Sequence, residues 1–113
     1  MLVEPAQKRK AENEAVFRAV NERIEDLQQQ FALDEHEPLQ IVCECDRLQC
    51  MNRLSIDLDT YERVRSDSSC FFVVFGHEDN QVEDVVDRGS GYVIVRKRSG
   101  APRELAERTD PRS

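Results

Sequence analysis

The sequence predicts an α+β domain: a long N-terminal helix followed by a small, mainly antiparallel sheet with two short helices. Three observations lead there. The first 31 residues contain no Gly, and their one Pro stands at position 5. Beyond residue 38, short runs rich in β-branched and aromatic residues alternate with polar turn signals. The chain has 113 residues, 39% apolar and 35% charged, which fits one domain with a modest core and a solvated helix.

The helix is expected from Pro5 to Phe31. Proline suits a first helical turn, where the backbone N–H has no partner in the helix. Phe17, Val20, Ile24, Leu27 and Phe31 follow spacings of three, four, three and four, the rhythm of a two-stranded seam. The seam covers about two heptads. It can lie on the chain's own domain, or pair with a protein partner or a second copy in a helix-mediated homodimer.

Leu33 to Pro38 reads as a polar hinge, with His36 as a surface histidine. Leu39 to Cys43 is a short strand running into the cysteines, and Arg53 to Leu58 alternates with Leu54, Ile56 and Leu58 on one face. Asp59 to Arg65 forms a short helix with Tyr61 and Val64 as its apolar pair. Phe71 to Phe75 is an all-apolar run of strand length, expected as the central strand, and Gly76-His77-Glu78 ends it. Asp79 to Arg88 reads as an amphipathic helix with Val82, Val85 and Val86 on one side and Gly89 as its stop. Tyr92 to Val95 is the last strand, and the polar, Pro-bearing stretch after Ser99 is expected as a loose tail. The chain thus divides into an N-terminal helix (1–33), a metal-binding α+β domain (34–98) and a flexible tail (99–113).

Cys43, Cys45 and Cys50 form a C-x-C-x4-C run. Zinc takes four N or S ligands in a tetrahedron, so three thiolates leave one place open. Two residues can fill it. His77 sits in a turn at one end of the Phe71–Phe75 run, and Cys70 stands at the other end. At ~3.3 Å per extended residue both cannot reach one ion. His77 is preferred, giving a closed Cys3His site, and Cys70 then reads as a small buried thiol. Thiolates beside Glu44 and Asp46 repel one another unless a cation joins them, with Arg47 and Arg53 as partial offsets. A closed four-ligand site points to structural zinc rather than catalysis.

The composition also excludes some classes. The net charge of −7 opposes phosphate-backbone binding, and the basic runs Lys8-Arg9-Lys10 and Arg96-Lys97-Arg98 are short and lack interleaved aromatics. No nucleic-acid partner is expected. The N-terminal MLVEPAQKRK has no apolar core of signal-peptide length, and no apolar run approaches the ~20 residues of a membrane span. The expectation is a cytoplasmic protein with no membrane partner, a setting in which closely spaced cysteines point to metal or redox chemistry. No Gly-rich phosphate loop, Ser-His-Asp order or H-E-x-x-H appears, so no catalytic residues are assigned.

The spacing of Cys43, Cys45 and Cys50 resembles the knuckle of the post-SET zinc module. The match is limited to those three residues, and the methyltransferase function does not carry over with it. More of the chain resembles a group of small bacterial Cys/His proteins of actinobacterial type. The resemblance lies in Asn13–Phe17 through Asn21–Ile24, Cys43-Glu44-Cys45, Tyr61-Glu62 with Val64-Arg65, Gly76-His77-Glu78 and Tyr92–Val95. It implies that the cysteines and His77 act as one constellation, and it implies no activity. The expected function is a non-enzymatic zinc-binding regulatory or adaptor protein acting through protein contacts. A thiol/zinc redox sensor and a small metal-dependent enzyme are the alternatives.

Overall fold

A computed structural model of the chain describes residues 5–31, 37–47 and 49–112. His36, most of the expected hinge and the expected boundary after residue 33 lie outside them. The elements are α1 (Pro5–Phe31), β1 (Leu39–Val42), β2 (Arg53–Ile56), α2 (Leu58–Arg65), β3 (Cys70–Val74), β4 (Glu83–Gly89), β5 (Tyr92–Lys97) and α3 (Ala101–Arg108). The arrangement is α+β, with two small antiparallel sheets, β1-β2 and β3-β5-β4.

In the β1–β2 ribbon the inward pairs are Leu39 with Ile56 and Ile41 with Leu54, all buried. Asp57 caps α2 by accepting the Thr60 N–H at 3.0 Å. Tyr61 and Val64 then face a core shared with Cys70, Phe72 and Ile94. The opposite faces of β3 and β5 send Phe71, Val73, Val93 and Val95 into a second core, which includes Cys43, Cys45, Cys50 and Ala106. The β3–β5 pair is therefore covered on both sides, which is why Phe71 to Val73 can be continuously apolar.

Three sequence expectations are corrected. The Asp79–Arg88 segment is not a helix. It makes one helical turn, with the N–H groups of Val82 and Glu83 on the Asp79 carbonyl, and then pairs with β5 as β4. A register shift between Val85 and Asp87 leaves Val86 unpaired and exposed, and this bulge disguises the strand's period of two. The hairpin closes through Ser90 and Gly91, the latter at φ +80°, with Tyr92 lying so close over Gly89 that a Cβ there would overlap its ring.

The central strand of its sheet is β5, not the Phe71–Phe75 run, whose outer edge is taken by the cysteine segment. Finally, residues 101–108, expected within a loose tail, form α3. Pro102 stands in its first turn and Ala106 is buried.

Helix α1 runs where the sequence placed it, but its orientation is the reverse of a simple amphipathic reading. Its buried residues are Glu14, Arg18, Asn21 and Glu25, while Val16, Val20, Leu27 and Phe31 are exposed and Phe17 and Ile24 half-buried. At 100° per residue each quartet spans about 60° of arc, and the two arcs are centred about 140° apart. No helix among the described residues is long and apolar enough to cross a membrane.

Candidate metal centre

The strand β1 ends at Val42 because the chain must turn there to serve both sheets. The Cys43 N–H extends the β1–β2 ladder to the Asn52 carbonyl at 2.9 Å. One residue on, the Glu44 N–H donates to the Phe72 carbonyl of β3 at 2.8 Å. Alternation then sends Cys43 and Cys45 to one side and Glu44 to the other. A turn closed by the Cys50 N–H on the Arg47 carbonyl, at 3.0 Å, folds the third cysteine back.

His77 arrives from the far end of β3. Gly76 holds φ +94°, a left-handed conformation that costs other residues energy, and the His77 N–H closes the turn on the Val74 carbonyl at 2.9 Å. Its Nδ1 lies 3.8 Å from the Cys43 sulfur and 3.6 Å from that of Cys50.

The donor atoms of Cys43, Cys45, Cys50 and His77 all lie within 4.8 Å of one another, and this cluster could hold a metal ion. The three cysteines are buried and His77 is half-buried. Cys70 is buried in the other core, with its thiol pushed up chiefly by burial.

The Val74 N–H donates to the Cys43 sulfur at 3.2 Å, a bond suited to a thiolate. Among the thiols themselves, a Cys43–Cys45 hydrogen bond holds Cys45 down at about 5. The same bond, with burial adding to it, pushes Cys43 up. A ligating Nδ1 requires the neutral imidazole with its proton on Nε2. On the outer side of His77 an open groove of about 600 Å³ is lined by Lys10, Asp46, Arg47, Glu78 and Asp79, among others.

Sequence reasoning missed Glu44. Its carboxylate is fully buried and accepts two bonds from the Arg65 guanidinium, at 2.7 and 2.9 Å. It accepts two more from the Phe72 N–H at 2.9 Å and the Asn21 amide at 2.7 Å. Asn21 also holds both backbone groups of Val42, each at 2.8 Å. The Asn13 amide donates to the Asp46 carbonyl at 3.0 Å. Helix α1 thus braces the loop that carries the cysteines.

Arg65, stacked near Tyr61 and Phe72, supplies the compensating charge for Glu44. Arg47 and Arg53, expected to offset part of the repulsion among the thiolates, are exposed. The period-two alternation of C-E-C was the available signal for an inward Glu44. Nothing local marks Arg65 as its partner.

No protein-family model matches the chain, and comparison with curated proteins and with solved structures gives no match.

Proposed function

We propose that the chain is a non-enzymatic zinc-binding protein whose Cys43, Cys45, Cys50 and His77 hold one structural zinc ion, and whose helix α1 docks a protein partner in a regulatory or adaptor role. The observation that carries the metal reading is the spacing of sulfur and nitrogen. With bonds of ~2.3 Å to sulfur and ~2.0 Å to nitrogen, a tetrahedral sulfur–nitrogen edge is ~3.5 Å. The two separations at His77 Nδ1 are 3.6 and 3.8 Å. Three thiolates and one imidazole are also the donor set that favours zinc over harder cations.

Four protein donors complete a tetrahedron and leave no position for water or substrate, which supports a structural role. The docking role rests on the exposed apolar face of α1.

The test is elemental analysis of the reduced chain. About one zinc per chain is expected, falling well below half for Cys43→Ser and Cys50→Ser. Wild-type protein that carries little metal, with every cysteine alkylated in native buffer, would sink the zinc reading. Full zinc retention by His77→Ala together with its loss in Cys70→Ser would reassign the fourth ligand.

A further inference from the structure

The outward face of α1 has a property that its apolar content alone does not require. Val16, Val20, Leu27 and Phe31 are spaced by four, seven and four, a sequence of gaps that reads the same from either end. Two such helices laid antiparallel about a two-fold axis between Arg23 and Ile24 bring Val16 against Phe31 and Val20 against Leu27. A two-fold interface must be self-complementary in this sense.

The charges agree with the same register. Arg23 and Asp26 flank the stripe on one side, both are exposed, and no ion pair within the chain engages either among the described residues. In an antiparallel pair, a flank of one helix faces the same flank of the other. Arg23 therefore comes opposite Asp26 of the second copy, and Asp26 opposite its Arg23. In a parallel pairing each flank would instead face the opposite flank of the other helix, so Arg23 and Asp26 of the two copies would not meet. The rest of the chain packs on the buried face of α1, a different face from the stripe, which stays exposed.

We propose that the partner docked by α1 is a second copy of this chain, bound antiparallel through Val16, Val20, Leu27 and Phe31 with reciprocal Arg23–Asp26 ion pairs. The proposal rests on the reading of α1 as the docking element. The contact spans 16 residues, ~24 Å of helix, which is small for a permanent dimer and fits reversible association.

Sedimentation velocity of the full chain from roughly 1 μM to roughly 1 mM tests it, with zinc content and helix signal recorded on the same samples. A reversible dimer is expected. Val20→Glu with Leu27→Glu, both on the exposed face, is expected to give monomer at every concentration. Arg23→Asp alone should weaken association about tenfold or more, because Asp then faces Asp across the axis, and adding Asp26→Arg should restore it.

A monomer across the range, with zinc and helix intact, overturns self-pairing and leaves the metal reading standing. A dimer unaffected by Val20→Glu with Leu27→Glu overturns α1 as the docking element altogether. Failure of Asp26→Arg to rescue Arg23→Asp overturns the antiparallel register.

Discussion

A carboxylate next to thiolates ordinarily worsens their mutual repulsion, and Glu44 stands between two of them in sequence. Its side chain turns away into the core, where Arg65 meets it in an ion pair whose two side chains are both at most 1% exposed. Such a pair need not add stability over an apolar replacement, but removing one member strands the other. Glu44→Gln is therefore expected to cost about 3 kcal/mol in urea unfolding, and much less in an Arg65→Met background, a coupling that a double-mutant cycle measures.

Gly76 makes a separate contribution. No atom would obstruct a Cβ there, so the cost of Gly76→Ala is conformational, about 1–2 kcal/mol for a left-handed residue. Relief of that strain would swing the His77 turn. Chelator competition is expected to show weaker metal binding in Gly76→Ala, whereas a purely local cost would lower stability alone.

At the scale of elements, α1 docks through charge. Glu14 and Glu83 each accept from the buried Lys97 ammonium at 2.6 Å, and Lys97 also lies 5.4 Å from the Phe71 ring centre. Arg18 covers the same ring at 4.5 Å while its guanidinium donates to the carbonyls of Ser68 and Ala106. Burial pushes Glu14 up to about 7 against the pull of Lys97. The folded chain keeps a proton that the unfolded chain loses near 4.5. Stability from this group therefore falls as pH rises from 4.5 towards 7 and is level above, a span on the order of 3 kcal/mol. Protonation of metal ligands works in the opposite direction, so the informative quantity is the difference between wild type and Glu14→Gln. Relative to wild type, Glu14→Gln should gain stability as pH rises through that window. An unchanged difference from pH 5 to pH 8 would contradict the assignment.

The same contacts explain what was legible in the sequence. The extent of α1 was, because propensity and the absence of breakers are local properties. Its orientation was not, because its buried polar side chains find partners far along the chain: Val42 and Glu44 for Asn21, Ala106 for Arg18 and Lys97 for Glu14. The cysteine loop was legible because its three thiols lie within eight residues, and His77 because strand length separates it from Cys70. The strand β4 was hidden by its bulge. The α3 segment was hidden because its anchors are the buried Ala106 and the later Arg112, which pairs with Glu22, Glu25 and Glu62.

Considered as a whole, the molecule runs the candidate metal loop from one sheet to the other, beside the core that both sheets share. Cys43 continues one ladder and Glu44 covers the outer edge of β3 in the other, while Asn13 and Asn21 tie α1 to the same loop. An ion holding the loop closed would stabilise all three attachments together, since binding to the folded state alone adds to its stability.

Removal of metal by a strong chelator under reducing conditions is therefore expected to lower Tm by about 10 °C or more, taking roughly 4–8 °C per kcal/mol for a domain of this size. The loss should also be uneven. The Phe72 and Val74 amides, bonded to the Glu44 carboxylate and the Cys43 sulfur, should exchange hydrogen faster. The β4–β5 hairpin, closed by its own turn and meeting the loop through core side chains among the described residues, should keep more of its protection. Equal loss of protection in β3 and β5 would mean that the ion holds the whole chain folded as a single cooperative unit. Unchanged protection at Phe72 and Val74 would mean that the loop stays closed by packing and the Glu44–Arg65 pair alone.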